Sequence, residues 1–302
     1  METVPADYVE DVLCDLSQKD IKNLKNLKDQ TIWESLAKRE VFRYDLTLTV
    51  DYDNKFKCIF HKRLKDCSYS KPPIPFNHFM ATDPKTHFIE TVQISSSYFV
   101  SSHVSLICED QLSQFFKLIG KRMAYCYSFL VLDISESPSA TTILNKFYES
   151  FPNYVSFSTI HLVYTGAQSE QFLEGQISHN KSLKGVILLG RWPQSTLTLI
   201  AKLLNFPKFK SLVAVEGVEV QIPFKLIDDL VQRWRSSKTS ATGLAIIAFV
   251  TDEPGIMPSY YSKSVDSGNC YRVSHEDSDL LCYLSMSICT TPSQGRVVML
   301  HS

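Results

Sequence analysis

One local pattern recurs through the second half of this chain: an apolar residue, two spacers, an apolar residue, one spacer, and another apolar residue. It occupies Tyr127, Leu130, Leu132; Phe157, Ile160, Leu162; Leu183, Val186, Leu188; Phe209, Leu212, Ala214; and, more loosely, Ala241, Leu244, Ile246. Successive starts lie 26 to 32 residues apart. Helical stripes fill the gaps: Ile143, Leu144, Phe147; Phe172, Leu173, Ile177; Ile200, Leu203, Leu204; and Leu226, Ile227, Leu230, Val231, Trp234. A strand followed by a helix at near-constant period cannot cover its own apolar face, so neighbouring units must stack. The expectation is an irregular β-α solenoid over residues 125–302. A doubly wound α/β sheet shares the alternation and is the alternative.

The flanking regions have other periods. Leu280, Cys282, Leu284, Met286 and Ile288 alternate, Gly295 marks a turn and Arg296 to Leu300 follows, which predicts a terminal β-ribbon capping the last unit. Asp252 to Asn269, rich in Pro, Gly and Ser, is expected to be an exposed loop. Residues 41–124 read as a β-rich segment plus a helix. Leu46, Leu48 and Val50, then Phe56, Cys58 and Phe60, form a hairpin pattern around a turn at 51–54. Lys71 to Pro75 is a surface loop; Phe88 to Ile94 and Tyr98 to Ile107 are strand-like; Glu109 to Met123 is helical. Residues 1–40 read as three short helices. Val9, Val12, Leu13 and Leu16 make one apolar stripe, Ser17 opens a second helix with Ile21, Leu24 and Leu27, and the Thr31-x-x-Glu34 box opens a third with Trp33 and Leu36. Helices this short need a packing partner.

Composition narrows the function classes. The 302 residues carry 31 basic and 32 acidic side chains, a net charge of −1, which argues against bulk nucleic acid or an anionic membrane as partner. The longest apolar runs, such as Gly243 to Val250, are far short of the roughly 20 residues a spanning helix needs. The acidic opening has no secretory pattern. Eight cysteines, several inside apolar runs (Cys14, Cys108, Cys282), therefore read as free buried thiols of an intracellular protein, cytoplasmic or nuclear.

Residues 1–40 resemble an F-box, a bundle of three short helices opening near a hydrophobe-Pro pair. Val4-Pro5 takes that place, Val9, Leu13 and Leu16 match the first helix, Leu24 the second and Trp33 the third. The chain as a whole resembles a nematode-expanded family of F-box-like proteins with degenerate leucine-rich-like repeats, through Leu183-Lys-Gly-Val-Ile-Leu-Leu-Gly-Arg-Trp192-Pro193 and Phe206 to Leu212. The resemblance implies an α+β chain with an F-box-like segment, a β-rich segment and a repeat array. It also implies a Skp-type adaptor of a cullin-RING ubiquitin ligase bound through Val4, Pro5, Val9, Leu13, Leu16, Leu24 and Trp33, with a protein target held by the repeats. Ordinary leucine-rich repeats carry an Asn/Cys ladder after each strand. Here Arg191 and Gly217 stand there, so the turns need another stabiliser.

Catalytic motifs are missing: no GxSxG, Walker loop, HExxH or GxGxxG. Cys58 and His61, with Cys67 and His78, lack paired zinc spacing and fit ordinary strand residues. Asp51 and Asp53 lack the glycine of a calcium loop. Asp228-Asp229 fits a solvated helix face, His161 a half-exposed strand residue, and Arg233, Arg235 and Lys238 a helix C-terminus. Arg191 and Trp192 are residue types favoured at interfaces and are the candidate target contacts. The expected function is thus a non-enzymatic protein-interaction protein without cofactor or metal. It would be either a ubiquitin-ligase substrate-recognition subunit or a repeat scaffold without a ligase link. An enzyme on a doubly wound sheet is the remaining alternative.

Overall fold

A computed structural model describes residues 42–50, 56–64, 69, 72–95, 104–123, 128–133, 138–151, 155–180, 182–206, 209–214, 218–236, 244–250, 258–263, 270–274 and 281–288. The fold is mixed α and β. Residue contacts divide the chain into two compact units, 1–158 and 159–302. The expected change of period at 124/125 falls inside the first unit. The three predicted helices of residues 1–40 lie outside the described residues.

In the first unit β1 (Phe42–Val50) and β2 (Phe56–Lys62) form the expected antiparallel hairpin, Leu46 opposite Phe60 and Leu48 opposite Cys58. β3 (His87–Ser95) runs parallel to β1, and β5 (Ser128–Asp133) parallel to β3. β4 (Ser105–Ile107) pairs antiparallel with β2. Its neighbour Cys108 was expected to be buried, but it is exposed. Cys108 stands just past the end of β4, at the N-cap of the turn preceding α2, where its backbone N–H donates to the Gln111 side chain at 3.3 Å. Three helices line one face: α1 (Phe76–Met80), α2 (Leu112–Gly120) and α3 (Pro138–Ser150). A chain of rings ties them to the sheet, Phe60 to Phe76, Phe76 to Phe115, Phe115 to Phe116 and Phe116 to Phe147, at centroid distances of 5.2 to 6.3 Å. Helix α1 follows the proline loop directly. Its Phe79 is fully buried, stacked 4.2 Å from Phe60.

The second unit repeats one move. Strands β6 (Phe157–Val163), β7 (Gly185–Leu189), β8 (Ser211–Ala214) and β10 (Leu244–Val250) are parallel and adjacent in chain order, with the short β9 (Gln221–Ile222) beside β10. The crossovers carry α4 (Ala167–His179), α5 (Leu197–Leu204) and α6 (Phe224–Arg235). Crossovers that each step one strand onward, with the usual right hand, put their helices on one face. Accordingly Lys202 of α5 reaches Glu174 of α4 at 3.3 Å, and Arg233 of α6 donates to the Leu204 carbonyl that ends α5. The helix-side row Ile160, Val186, Leu212, Ile246 is fully buried. A doubly wound sheet would reverse direction at a switch point. Among the described strands of this unit, the parallel ones advance one way only.

The end of the unit is a ribbon. β13 (Leu281–Ile288) runs parallel to β10, β12 (Cys270–Ser274) antiparallel to β13, and β11 (Tyr261–Lys263) antiparallel to β12. β11 falls within the stretch expected to be a loop. Its Tyr261 is buried against Phe224, so one aromatic contact overrides the polar composition around it. Residues 296–300 lie outside the described residues.

Candidate interaction surface

Side chains alternate across a strand, so the residues flanking the buried row of the second unit form the face away from the helices. Strand register aligns Thr159, Gly185, Ser211 and Ala245 in one row, and His161, Ile187, Val213 and Ile247 in the next; Val163 and Leu189 begin a third. His161, Val163, Ile187, Leu189, Val213 and Ile247 are all half-buried. At Gly185 a Cβ would make van der Waals contact with Thr159 and Ser211 at 3.4 Å. The surface is therefore flat along one row and aliphatic along the next, with His161 its one titratable group among these positions.

The turns that edge this surface are held without an asparagine ladder. After β7, Gly190 adopts φ +81°, a conformation that favours glycine. Trp192, two residues on, is 0% exposed, its ring 5.2 Å from Tyr164, so its indole is withdrawn from any partner, while Arg191 remains exposed. That corrects the expectation for half of the Arg191-Trp192 pair: the tight turn folds the larger ring inward to fill the end of the sheet. The turn after β7 is held by Gln194. Its Nε2 donates to the Gln221 carbonyl at 3.0 Å and its Oε1 accepts from the Gln221 N–H at 2.8 Å. One side-chain amide thus clasps the turn after β7 to β9.

The corresponding face of the first unit differs. A bulge between β1 and β3 leaves Glu90 without a strand partner and turns it beside Asp45. Arg63 bridges both carboxylates, 2.9 Å from Asp45 and 3.3 Å from Glu90, and Arg43 lies 3.1 Å from Glu90. Tyr69 donates to Asp45 at 2.8 Å. That bond, with burial, raises the tyrosine pKa. His61 stands opposite Asp45; burial lowers its pKa and Asp45 partly opposes the shift. Two carboxylates and two guanidiniums cancel, so the cluster is a neutral structural tie. Cys58 points to the opposite face of β2 from His61, fully buried, its thiol pushed up to about 12 by desolvation.

The candidate adaptor contacts Val4, Pro5, Val9, Leu13, Leu16, Leu24 and Trp33 lie outside the described residues. No group of three or more metal-ligating side chains occurs among the described residues, and no described helix is long and apolar enough to cross a membrane. Comparison with protein-family models, curated proteins and solved structures finds no match.

Proposed function

We propose that this chain is a non-enzymatic protein-interaction protein whose second unit is an irregular leucine-rich-like β-α array. Its target would dock on the sheet face that no described helix covers, through Val163, Ile187, Leu189, Val213 and Ile247, with Arg191 at the rim. The observation that carries this reading is the one-way order of β6, β7, β8 and β10. The described helices, on one side, leave the other side of the sheet half-exposed and aliphatic. In this reading residues 1–40 bind a Skp-type adaptor, and the chain acts inside the cell, in cytoplasm or nucleus. It works by holding a target near a ligase, which raises effective concentration without bond-making by the chain itself.

The test is affinity purification of the full chain in three forms. Wild type should retain adaptor and target. Pro5→Ala with Leu16→Ala should lose the adaptor and keep the target, and Val213→Asp should do the reverse. A wild-type chain that never retains the adaptor ends the ligase role and leaves a scaffold. Targets held equally by wild type and Val213→Asp would end the assignment of the sheet face.

A further inference from the structure

The terminal ribbon of the second unit is held to α6 by a small polar knot. Asp228 Oδ1 accepts hydrogen bonds from the hydroxyls of Tyr260 and, at 2.9 Å, Tyr261; its Oδ2 accepts from Gln232 Nε2 at 2.7 Å. Gln232 also donates to the Tyr260 hydroxyl at 3.1 Å. The Arg235 guanidinium lies 4.3 Å from the centre of the Tyr260 ring, and its Nε donates to the Ser274 carbonyl of β12 at 3.3 Å. One carboxylate on α6 therefore gathers three donors, two of them from the entrance to β11. The strands themselves are short: β11 has three residues and pairs with β12 through Tyr261, Ser262 and Lys263. β12 in turn covers Leu281 to Ser285 along the outer edge of β13. Uncovered, that edge would present a row of free backbone donors and acceptors, a template for pairing with another chain.

We propose that Asp228 is a latch: it fastens the β11–β12 ribbon to α6, and its loss lets the ribbon open as a unit and bare the edge of β13. A hydrogen bond to an ionised acceptor is stronger than one between neutral groups, and peripheral short strands open locally without global unfolding. The ribbon is also packed by rings, Tyr261 lying 5.8 Å from Phe224 and 6.2 Å from Tyr271. The informative variant must therefore keep the rings and remove the hydroxyls.

Hydrogen exchange of the full chain supplies the test. In Tyr260→Phe with Tyr261→Phe, amides of residues 270–274 should exchange at least about tenfold faster, while residues 185–189 and 211–214 keep their wild-type rates. Asp228→Asn, which keeps one acceptor oxygen, should fall between. Unchanged exchange at 270–274 in both variants would overturn the latch and assign the docking to ring packing. Equal acceleration at 185–189 would also overturn it, because ribbon and array would then open as one body.

Discussion

Both units combine parallel and antiparallel strands and line one face with helices, yet they treat the other face in opposite ways. In the first unit it carries charge and is buried: Asp45 and Glu90 are 7% and 8% exposed and are neutralised by Arg63 and Arg43. In the second it carries aliphatic side chains and is half-exposed. Buried ions cost desolvation unless paired, and on the first face each carboxylate has a guanidinium beside it, although Asp45 Oδ1, Glu90 Oε2 and Arg43 Nε make no hydrogen bond. Half-exposed aliphatic rows cost free energy for as long as water touches them, so the second face is the one with something to gain from a partner. Polarity alone would have ranked the two in the reverse order.

The largest effect should come from the charged face. Arg63→Ala leaves buried Asp45 with only the Tyr69 hydroxyl and Glu90 with only Arg43, and should destabilise the first unit by about 3–5 kcal/mol, read as faster hydrogen exchange at Ile89 to Ile94. If the loss is below about 1 kcal/mol, the cluster is solvated and the contrast between the faces disappears. Next come neighbours on one strand. Leu212→Ala, on the helix side of β8, should cost about 3 kcal/mol in urea unfolding, whereas Val213→Ala, one residue on, should cost about 1 or less. Equal costs would mean that the second face is buried too.

A third effect is set by pH. In the fold the Cys58 thiol stays protonated to about 12, while an unfolded thiol ionises near 8.5. Its folded value being raised, stability is intact below about pH 8.5 and falls as pH rises towards 12, by about 2 kcal/mol at pH 10. Cys58→Ala should flatten that slope, and at pH 8 alkylating reagents should modify the exposed Cys108 and spare Cys58 in the native chain. The smallest effect should be that of Gln194→Ala. Losing the clasp on Gln221 should cost about 1 kcal/mol and speed exchange at Gln221 and Ile222.

Much of the second unit was legible because its signal is periodic. The helical stripes Phe172, Leu173, Ile177 and Ile200, Leu203, Leu204 are buried as their spacing predicts, and the strand triplets differ from the observed strands chiefly at their starts. Leu183 and Phe209 are buried just before β7 and β8, not within them, because a residue entering a sheet can face the core before it joins a ladder. Local pattern was silent where a contact joins distant residues. Nothing near Asp228 foretells Tyr260 and Tyr261, some thirty positions on, and the Asp228-Asp229 pair read simply as a solvated face. Arg233 likewise closes the C-terminus of the preceding helix rather than acting at its own alone.

By itself the sequence determined which of the strongly periodic described segments become strands and helices and which side of each must be hidden, since periods of 2 and 3.6 are imposed by backbone geometry residue by residue; β11, in a stretch that reads as a loop, was not legible this way. It also predicted that the turns after the strands lack an asparagine ladder. Only the tertiary structure decided that Trp192 turns inward while Arg191 does not, that Gln194 clasps the turn after β7 to β9, and that, away from the described helices, one unit's sheet carries a neutralised salt cluster while the other's is half-exposed and aliphatic. Each of these depends on which distant groups meet, and a side chain's burial and pairing are properties of its neighbours in space, not in order.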